Sequence, residues 1–262
     1  MDKPLLGKKI LVTRGKQQAK LFSDKIEAEG ALPFVVPLLK FKMRESQENH
    51  AIFSKLHEFS WIFFTSANGV KFFFEQCKFH HVTLEDLKSK RFAVIGKKTE
   101  HKLHTYGLRA DFLPDTFNGR TMVDQFLNDH SEPGSILLTV GNISRNEIAS
   151  ELERQQVLFQ KAVVYDTLWN GDEKEELLAY MEKAEIDAYT FTSPSSLKSF
   201  CRIARDRPEL FRTVKEQALC VCIGPTTGEA ACRAGFHHVL VPDEYTVEGM
   251  INKMRSYYKR KG

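Results

Sequence analysis

Hydroxyl-bearing, amide and basic side chains recur in short turns that directly follow apolar runs of this 262-residue chain. The turns cover residues 13–16, 65–69, 96–99, 141–145, 192–196 and 224–228. A serine or threonine in such a turn can cap the following helix, and the free amides and dipole at a helix N-terminus attract anions. These turns therefore predict the binding of an acidic ligand by hydroxyls and backbone N–H groups.

The alternative for any single turn is that its hydroxyl only caps a helix. None of the turns matches GxGxxG or GxxxxGK[ST], so the fingerprints of nucleotide binding are missing. The sequence also lacks HExxH, GxSxG and CxxC. His101 and His104 lie three residues apart in a predicted helix, and we interpret them as a solvated face and not as a metal site.

Tyr165 ends the apolar run KAVVY at residues 161–165 and precedes a polar stretch. A phenol in water has a pKa of about 10, so it stays protonated at neutral pH and can donate a hydrogen bond to a leaving or developing oxyanion. The other interpretation is a tyrosine at a strand end with its hydroxyl in water.

The elements that must position these turns follow an alternating rhythm of short strands and helical segments. This rhythm predicts an α/β fold with mostly parallel sheets, in which ligands bind at the carboxyl ends of the strands. The predicted strands cover residues 9–13, 33–38, 61–65, 91–95, 110–113, 135–139, 160–165, 188–192, 218–223 and 238–241.

The chain repeats itself at a spacing of about 127 residues. WIFFTS at 61–66 returns as AYTFTS at 188–193, and ILVT at 10–13 returns as ILLT at 136–139. Gly30 is expected to end the first helix in a left-handed conformation. Its counterpart falls in the pair Gln155-Gln156, where the repeat is imperfect.

The repeat predicts two similar lobes, each a mostly parallel sheet flanked by helices, with a ligand cleft between them. If a lobe needs about five parallel strands, the N-terminal strands can be completed by the C-terminal part of the chain. The predicted domains are residues 1–38 plus 169–262 for lobe 1 and 41–166 for lobe 2, with connectors near 39–40 and 167–168. A contiguous split near residue 130 is the competing layout.

Composition is typical of an ordinary soluble protein. No apolar run reaches the roughly 18–20 residues of a membrane span, and the polar start of the chain does not resemble a signal peptide. The net charge of +4 is modest and shows no basic stripe for nucleic acid. The five cysteines lack metal-type spacing, and Cys220 and Cys222 alternate within a predicted strand as small buried residues.

Six segments carry a resemblance to a known family. They are WIFFTSANGV at 61–70, AVIG at 93–96 followed by Thr99, GNISR at 141–145, VVYDT at 163–167, FTSPSSLKSF at 191–200 and IGPTTGEAACRAGF at 223–236. In order and spacing they resemble the uroporphyrinogen-III synthase family, and the likeness runs from Ile10 to Met250.

This resemblance implies a hydro-lyase of tetrapyrrole (heme) biosynthesis. Such an enzyme cyclises hydroxymethylbilane to uroporphyrinogen III, inverts ring D through a spiro intermediate and uses no metal or organic cofactor. The family has two α/β lobes joined by a two-stranded connector, and its first lobe is built from both chain ends. Tyr165 matches the family tyrosine that helps the hydroxyl leave. The expected substrate-binding residues are Arg14, Ser66, Asn68, Thr99, Arg145, Ser193, Ser196 and Thr227.

The expected partner is the small-molecule substrate, with no nucleic acid and no membrane. We expect a cytoplasmic monomer that makes at most transient contact with the preceding pathway enzyme. The alternative function is a non-catalytic two-lobed binding protein for an acidic metabolite. A nucleotide-dependent transferase would need a phosphate loop, which the sequence lacks.

Overall fold

The computed structural model describes residues 3–116, 119–183 and 185–261, with the backbone alone at positions 16 and 17. Its strands are β1 (Lys9–Val12), β2 (Leu32–Val35), β3 (Leu39–Met43), β4 (Trp61–Phe64), β5 (Arg91–Val94), β6 (Ile136–Gly141), β7 (Phe159–Trp169), β8 (Ala188–Phe191), β9 (Leu219–Cys222) and β10 (His238–Leu240). Its α-helices are α1 (Lys16–Ala28), α2 (Gln47–Ser54), α3 (Ala67–Phe79), α4 (Leu84–Leu87), α5 (Lys97–His104), α6 (Gly119–Asp129), α7 (Glu147–Arg154), α8 (Lys174–Lys183), α9 (Pro194–Ala204), α10 (Pro208–Gln217), α11 (Pro225–Arg233) and α12 (Val247–Lys261).

The described residues fall into two compact units. The first unit takes its residues from 1–40 and 168–262, and the second from 41–167. The chain therefore leaves the first unit after residue 40 and returns to it at residue 168.

The first unit contains a five-stranded sheet in the order β10-β9-β8-β1-β2. Every neighbouring pair is parallel, and β1 lies between β2 and β8 with Ile10 opposite both Pro33 and Ala188. The two faces of β1 are buried in different clusters, because Leu11 packs with Phe191 and Phe200 while its neighbour Ile10 packs with Phe22. Burial on both faces explains why these strands have nearly continuous apolar sequences.

The second unit contains the sheet β3-β7-β6-β4-β5, in which β7, β6, β4 and β5 are parallel. Strand β3 runs against β7, since the N–H of Asn170 donates to Leu38 and the N–H of Arg44 donates to Val164. Helices cover this sheet too, and Phe64 and Trp61 point into separate apolar clusters. The predicted fold class, two mostly parallel sheets flanked by helices, is confirmed.

The sequence repeat is also a repeat of hydrogen bonds. Thr13 at the end of β1 donates its hydroxyl to the carbonyl of Thr190 at 2.8 Å, and Thr139 in β6 donates to the equivalent carbonyl of Phe63 at 2.8 Å. Both threonines are buried. A buried hydroxyl needs such a partner, so the repeated ILVT and ILLT motifs keep threonine for a structural reason.

Three details of the sequence-based strand assignment are wrong. Residues 110–113 form no strand, and only an isolated bridge joins Phe112 to Ala93. Strand β3 was not expected, and β7 continues past Tyr165 to Trp169.

The expected helix terminator is confirmed at Gly30, which has φ of +78°. At the equivalent position of the second copy, Gln156 adopts φ of +56°. The backbone geometry of the turn has therefore been kept although the glycine has not. Left-handed backbone costs a side-chain-bearing residue about 1–2 kcal/mol, so Gln156 is a strained position.

Candidate functional site

The strand-to-helix turns lie at the carboxyl edge of each parallel sheet, as predicted. In the first unit this edge carries Arg14 after β1, Ser193 and Ser196 after β8, and Thr227 after β9. In the second unit it carries the remaining predicted binding residues, Ser66, Asn68, Thr99 and Arg145. Ser193 and Ser196 are the one pair of these residues joined by a direct side-chain hydrogen bond within the described ranges, with their Oγ atoms 3.3 Å apart.

Ser66 and Ser193 are helix N-caps. The Oγ of Ser66 accepts the N–H of Gly69 at 3.0 Å, and the Oγ of Ser193 accepts the N–H of Ser196 at 3.1 Å. Ser196 is buried and donates its own hydroxyl to the carbonyl of Ser193 at 2.8 Å. The capping interpretation therefore holds for Ser66 and Ser193. Ser66 keeps its hydroxyl proton to donate, whereas Ser193 donates its own to the Oγ of Ser196.

Three other turns begin helices without a side-chain cap. Gly15, Gly96 and Gly224 are the N-cap residues of α1, α5 and α11, and none can supply a side-chain oxygen. Helix N-termini of this kind leave backbone N–H groups for an anion. Thr99 and Thr227 occupy the same position in the first turns of α5 and α11, and both are buried.

Arg14, at the carboxyl edge of the first unit's sheet, has an incomplete set of hydrogen bonds. Its guanidinium donates to Gln18 at 3.1 Å, while its Nε is buried without a partner among the described residues. Burial lowers the pKa of this guanidinium. Arg145 differs because its side chain is 71% exposed and lies 3.4 Å from the carboxylate of Glu147.

Tyr165 is buried within β7 and does not stand at a strand end. Phe72 stacks on its ring at 5.1 Å between ring centroids, and Phe41 meets it edge-on at 5.9 Å. Among the described residues, none forms a hydrogen bond with the Tyr165 hydroxyl. The ring is fixed by apolar contacts, so the hydroxyl is available to donate to a ligand.

The polar contacts beside β3 and β7 were not expected from the sequence. The carbonyl of Arg44 accepts from the side-chain amides of Asn49 at 2.9 Å and Gln76 at 2.7 Å, and the Arg44 guanidinium pairs with Asp166. Gln76 is fully buried on the apolar stripe of α3. A glutamine within such a stripe is the signal that could have revealed this contact.

Other candidate chemistry is sparse. His101 and His104 are exposed, as expected for a solvated helix face. Cys220 and Cys222 are fully buried with their sulfur atoms 3.8 Å apart, which confirms them as core thiols. Across the described ranges, no group of three or more His, Cys, Asp or Glu side chains is placed to hold a metal ion. Within those same ranges, every helix is too short or too polar to cross a membrane.

A cavity of about 840 Å³ lies at the opposite edge of the first unit's sheet. Lys8, Asp187 and Leu219, which precede or begin strands, contribute to its lining. It is therefore separate from the turns that carry the predicted binding residues.

These features define a two-unit α/β protein whose parallel sheets both end in hydroxyl-rich and glycine-rich turns. Residues 20–252 match the family model described as uroporphyrinogen-III synthase HemD. The chain belongs to the uroporphyrinogen-III synthase family.

Two relatives illustrate the similarity in sequence. The chain is 28% identical to the porphyrin biosynthesis protein HemD of Ruminiclostridium josui over 97% of its own length, but it spans only 49% of that protein. It is 24% identical to the uroporphyrinogen-III synthase of Synechococcus elongatus, with 95% of each chain covered.

Two solved structures share the fold. A mutant uroporphyrinogen III synthase from Thermus thermophilus superposes with a TM-score of 0.65 at 16% identity, covering 98% of this chain and 100% of that one. The Helicobacter pylori enzyme gives a TM-score of 0.65 at 15% identity, with 96% and 100% covered. At these identities the likeness concerns the fold alone.

Proposed function

We propose that this protein cyclises hydroxymethylbilane to uroporphyrinogen III, inverting ring D through a spiro intermediate and releasing water. The observation that carries the proposal is the family match across residues 20–252. The carboxyl edges of both sheets support it, because each combines uncapped helix N-termini with hydroxyl groups. The substrate bears an acetate and a propionate on every ring, and such groups suit those edges.

The proposed substrate contacts are made by backbone amides, hydroxyls and two arginines. Arg14 is the strongest of them, because its half-buried guanidinium has a donor left to give to a carboxylate. Arg145 is exposed and contributes a weaker, more strongly screened attraction. The other proposed binding residues are Ser66, Asn68, Thr99, Ser193, Ser196 and Thr227.

Tyr165 is the proposed proton donor to the departing hydroxyl. The carbon–oxygen bond of the hydroxymethyl group breaks, water leaves with the phenol's proton, and an azafulvenium-type cation remains. The substituted α-carbon of ring D attacks this cation to give the spiro intermediate. One bond of the spiro centre then breaks, ring D recloses through its free α-carbon, and the proton lost from that carbon balances the one donated.

Orientation carries most of the proposed catalysis. The spontaneous reaction closes the ring through the free α-carbon of ring D and gives the type I isomer. The protein must therefore hold the chain so that the substituted carbon reaches the cation first, a case where geometry decides the product.

The decisive experiment incubates the purified protein with freshly generated hydroxymethylbilane and separates the oxidised products by chromatography. The proposed enzyme gives mainly the type III isomer. Type I product alone, at the rate of a protein-free control, would overturn the proposal. Tight binding of the bilane without type III product would identify a binding protein for an acidic metabolite.

Tyr165→Phe tests the proton donor. We expect kcat to fall by about 10²-fold or more, since general acid catalysis typically contributes 10²–10⁴-fold, with little change in the Tm. Tyr106→Phe is the matched control, because that tyrosine also stacks on a phenylalanine of the second unit but has no proposed role. Wild-type turnover by Tyr165→Phe would remove the phenol from the mechanism.

We also propose that the protein works as a monomer in the cytoplasm, with any contact to the preceding pathway enzyme being transient. Light scattering coupled to size-exclusion chromatography tests the first part of this proposal. A stable dimer at micromolar concentration would contradict it.

A further inference from the structure

We propose that Gly141 and Asn142 are positioning residues that set the place and direction of the Tyr165 phenol. The inference rests on the proposed function of Tyr165 and adds two residues whose effect is exerted through it. Gly141 is the last residue of β6, and Asn142 follows it in the turn to α7.

Gly141 leaves free the space that the Tyr165 ring occupies, and we call this space the seat of the ring. A Cβ atom built on Gly141 would lie 2.7 Å from both Cε2 and the hydroxyl oxygen of Tyr165. Non-bonded carbon atoms prefer about 3.5–4.0 Å, so any side chain at position 141 must displace the ring. Phe72 stacks on the same ring, and a displaced ring would have to disturb that contact as well.

A bulge in β7 turns Tyr165 towards this seat. Val140 pairs with Val163, but the next residue of β6, Gly141, pairs with Tyr165, so Val164 is the extra residue. Val164 and Tyr165 consequently face the same apolar cluster although they are consecutive, whereas Val163 faces the other one. In a regular strand Tyr165 would point to the side of Val163.

Asn142 holds the segment that follows the bulge through two hydrogen bonds, one to each neighbour of Asp166. Its backbone N–H donates to the carbonyl of Tyr165 at 3.1 Å, and its side-chain Oδ1 accepts the N–H of Thr167 at 2.9 Å. The hydroxyl oxygen of Ser144 accepts the N–H of Gly141 at 2.9 Å, which holds the turn itself.

The first copy of the repeat lacks this arrangement. Gly15 is the counterpart of Gly141, and a Cβ atom built on it meets nothing within 4 Å. Strands β1 and β2 pair in regular register through Val12 and Val35. The close approach at Gly141 therefore belongs to the tyrosine-bearing copy and is not a requirement of the repeated scaffold.

A double-mutant cycle tests the inference. Gly141→Ala is expected to lower kcat about ten- to hundredfold with a small change in KM, because misplacement by about 1 Å can cost 10²-fold. Tyr165→Phe keeps the ring and the clash but removes the hydroxyl. Adding Gly141→Ala to Tyr165→Phe should therefore lower kcat by less than twofold further. Equal losses in the two backgrounds would show a merely structural role and overturn the inference.

Asn142 provides a second test that holds even if Gly141→Ala fails to fold. Asn142→Asp keeps an acceptor for the N–H of Thr167 and should retain kcat, while Asn142→Ala should lose about tenfold. Equal kcat for the two variants would overturn the role of Asn142. If wild-type protein makes only type I product, the proposed function itself fails. A failed cycle in a type III-producing enzyme refutes this inference alone.

Discussion

Arg14 combines partial burial with an unpaired donor, an arrangement that costs stability and suits the binding role proposed for it. A half-buried guanidinium loses hydration, and the missing partner of its Nε means that this loss is not fully offset within the chain. The lowered pKa of Arg14 has the same physical origin, desolvation of the charged form.

Arg14→Gln should therefore raise KM for hydroxymethylbilane without lowering the free energy of unfolding. We expect an increase in KM of roughly ten- to hundredfold, because hydrogen bonds to charged groups contribute about 1.5–3 kcal/mol. Steady-state kinetics and urea denaturation measure the two effects. Lys20→Gln removes the same charge from an exposed position on α1 and should leave KM nearly unchanged. A loss of stability with unchanged KM would make Arg14 a structural residue.

At this scale the sequence identifies the type of chemistry better than its supporting contacts. The hydroxyl-bearing turns are recognisable because they recur in both copies of the repeat, and Tyr165 is recognisable because it ends the apolar run KAVVY. The seat at Gly141 is not, since it depends on a bulge that moves Tyr165 to the other face of β7. A shift of one residue in register reverses the side that a side chain faces, and composition carries no trace of it.

The elements follow the predicted rhythm most closely where strands are buried on both faces. The isolated bridge at Phe112 occupies the position that β10 has in the other copy of the repeat. The apolar pattern predicted a full strand there, but the pairing is limited to this one bridge. Strand β3 was not predicted because its middle, Lys40 to Lys42, is exposed and mostly polar. The polar contacts beside it come from Asn49 and Gln76, whose side-chain amides donate to the carbonyl of Arg44, and Gln76 lies 32 residues from Arg44 in the sequence.

Gln156 offers a test of how the second copy ends its first helix. Gln156→Gly should stabilise the protein by about 0.5–1 kcal/mol. Glycine adopts positive φ without steric cost, and this relief of strain exceeds the cost of ordering a residue that is more flexible in the unfolded chain. Gln155→Gly is the matched control and should destabilise it, since Gln155 has φ of −86°. Urea denaturation measures both. A stabilising Gln155→Gly, or a destabilising Gln156→Gly, would contradict this account.

The whole molecule is organised by exchange between the two copies of the repeat. Strands β1 and β2 of the first copy are completed by β8, β9 and β10 of the second, while β6 and β7 complete the sheet that contains β4 and β5. The second unit has a continuous sequence, and both of its apolar clusters use only its own residues.

We predict that a fragment of residues 41–167 folds by itself. Its core clusters are complete, so it should give a cooperative thermal transition and a dispersed amide spectrum by NMR. A fragment of residues 1–130 is the comparison, because it corresponds to the contiguous layout and would leave β1 without β8. Cooperative folding of 1–130 as a monomer, with 41–167 disordered, would favour the contiguous division.

The pairing of β1 with β8 also has a consequence during synthesis on the ribosome. Ile10 meets its partner Ala188 only after roughly 180 further residues have been added, which takes about 10–40 s at 5–20 residues per second. During that interval the apolar residues of β1 are translated but lack one neighbouring strand, while the segment from 41 to 167 is synthesised in full. Strand β1 therefore remains without one of its neighbouring strands for longer than any other strand. Its exposed edge is the part of the nascent chain where chaperone binding or aggregation is most expected.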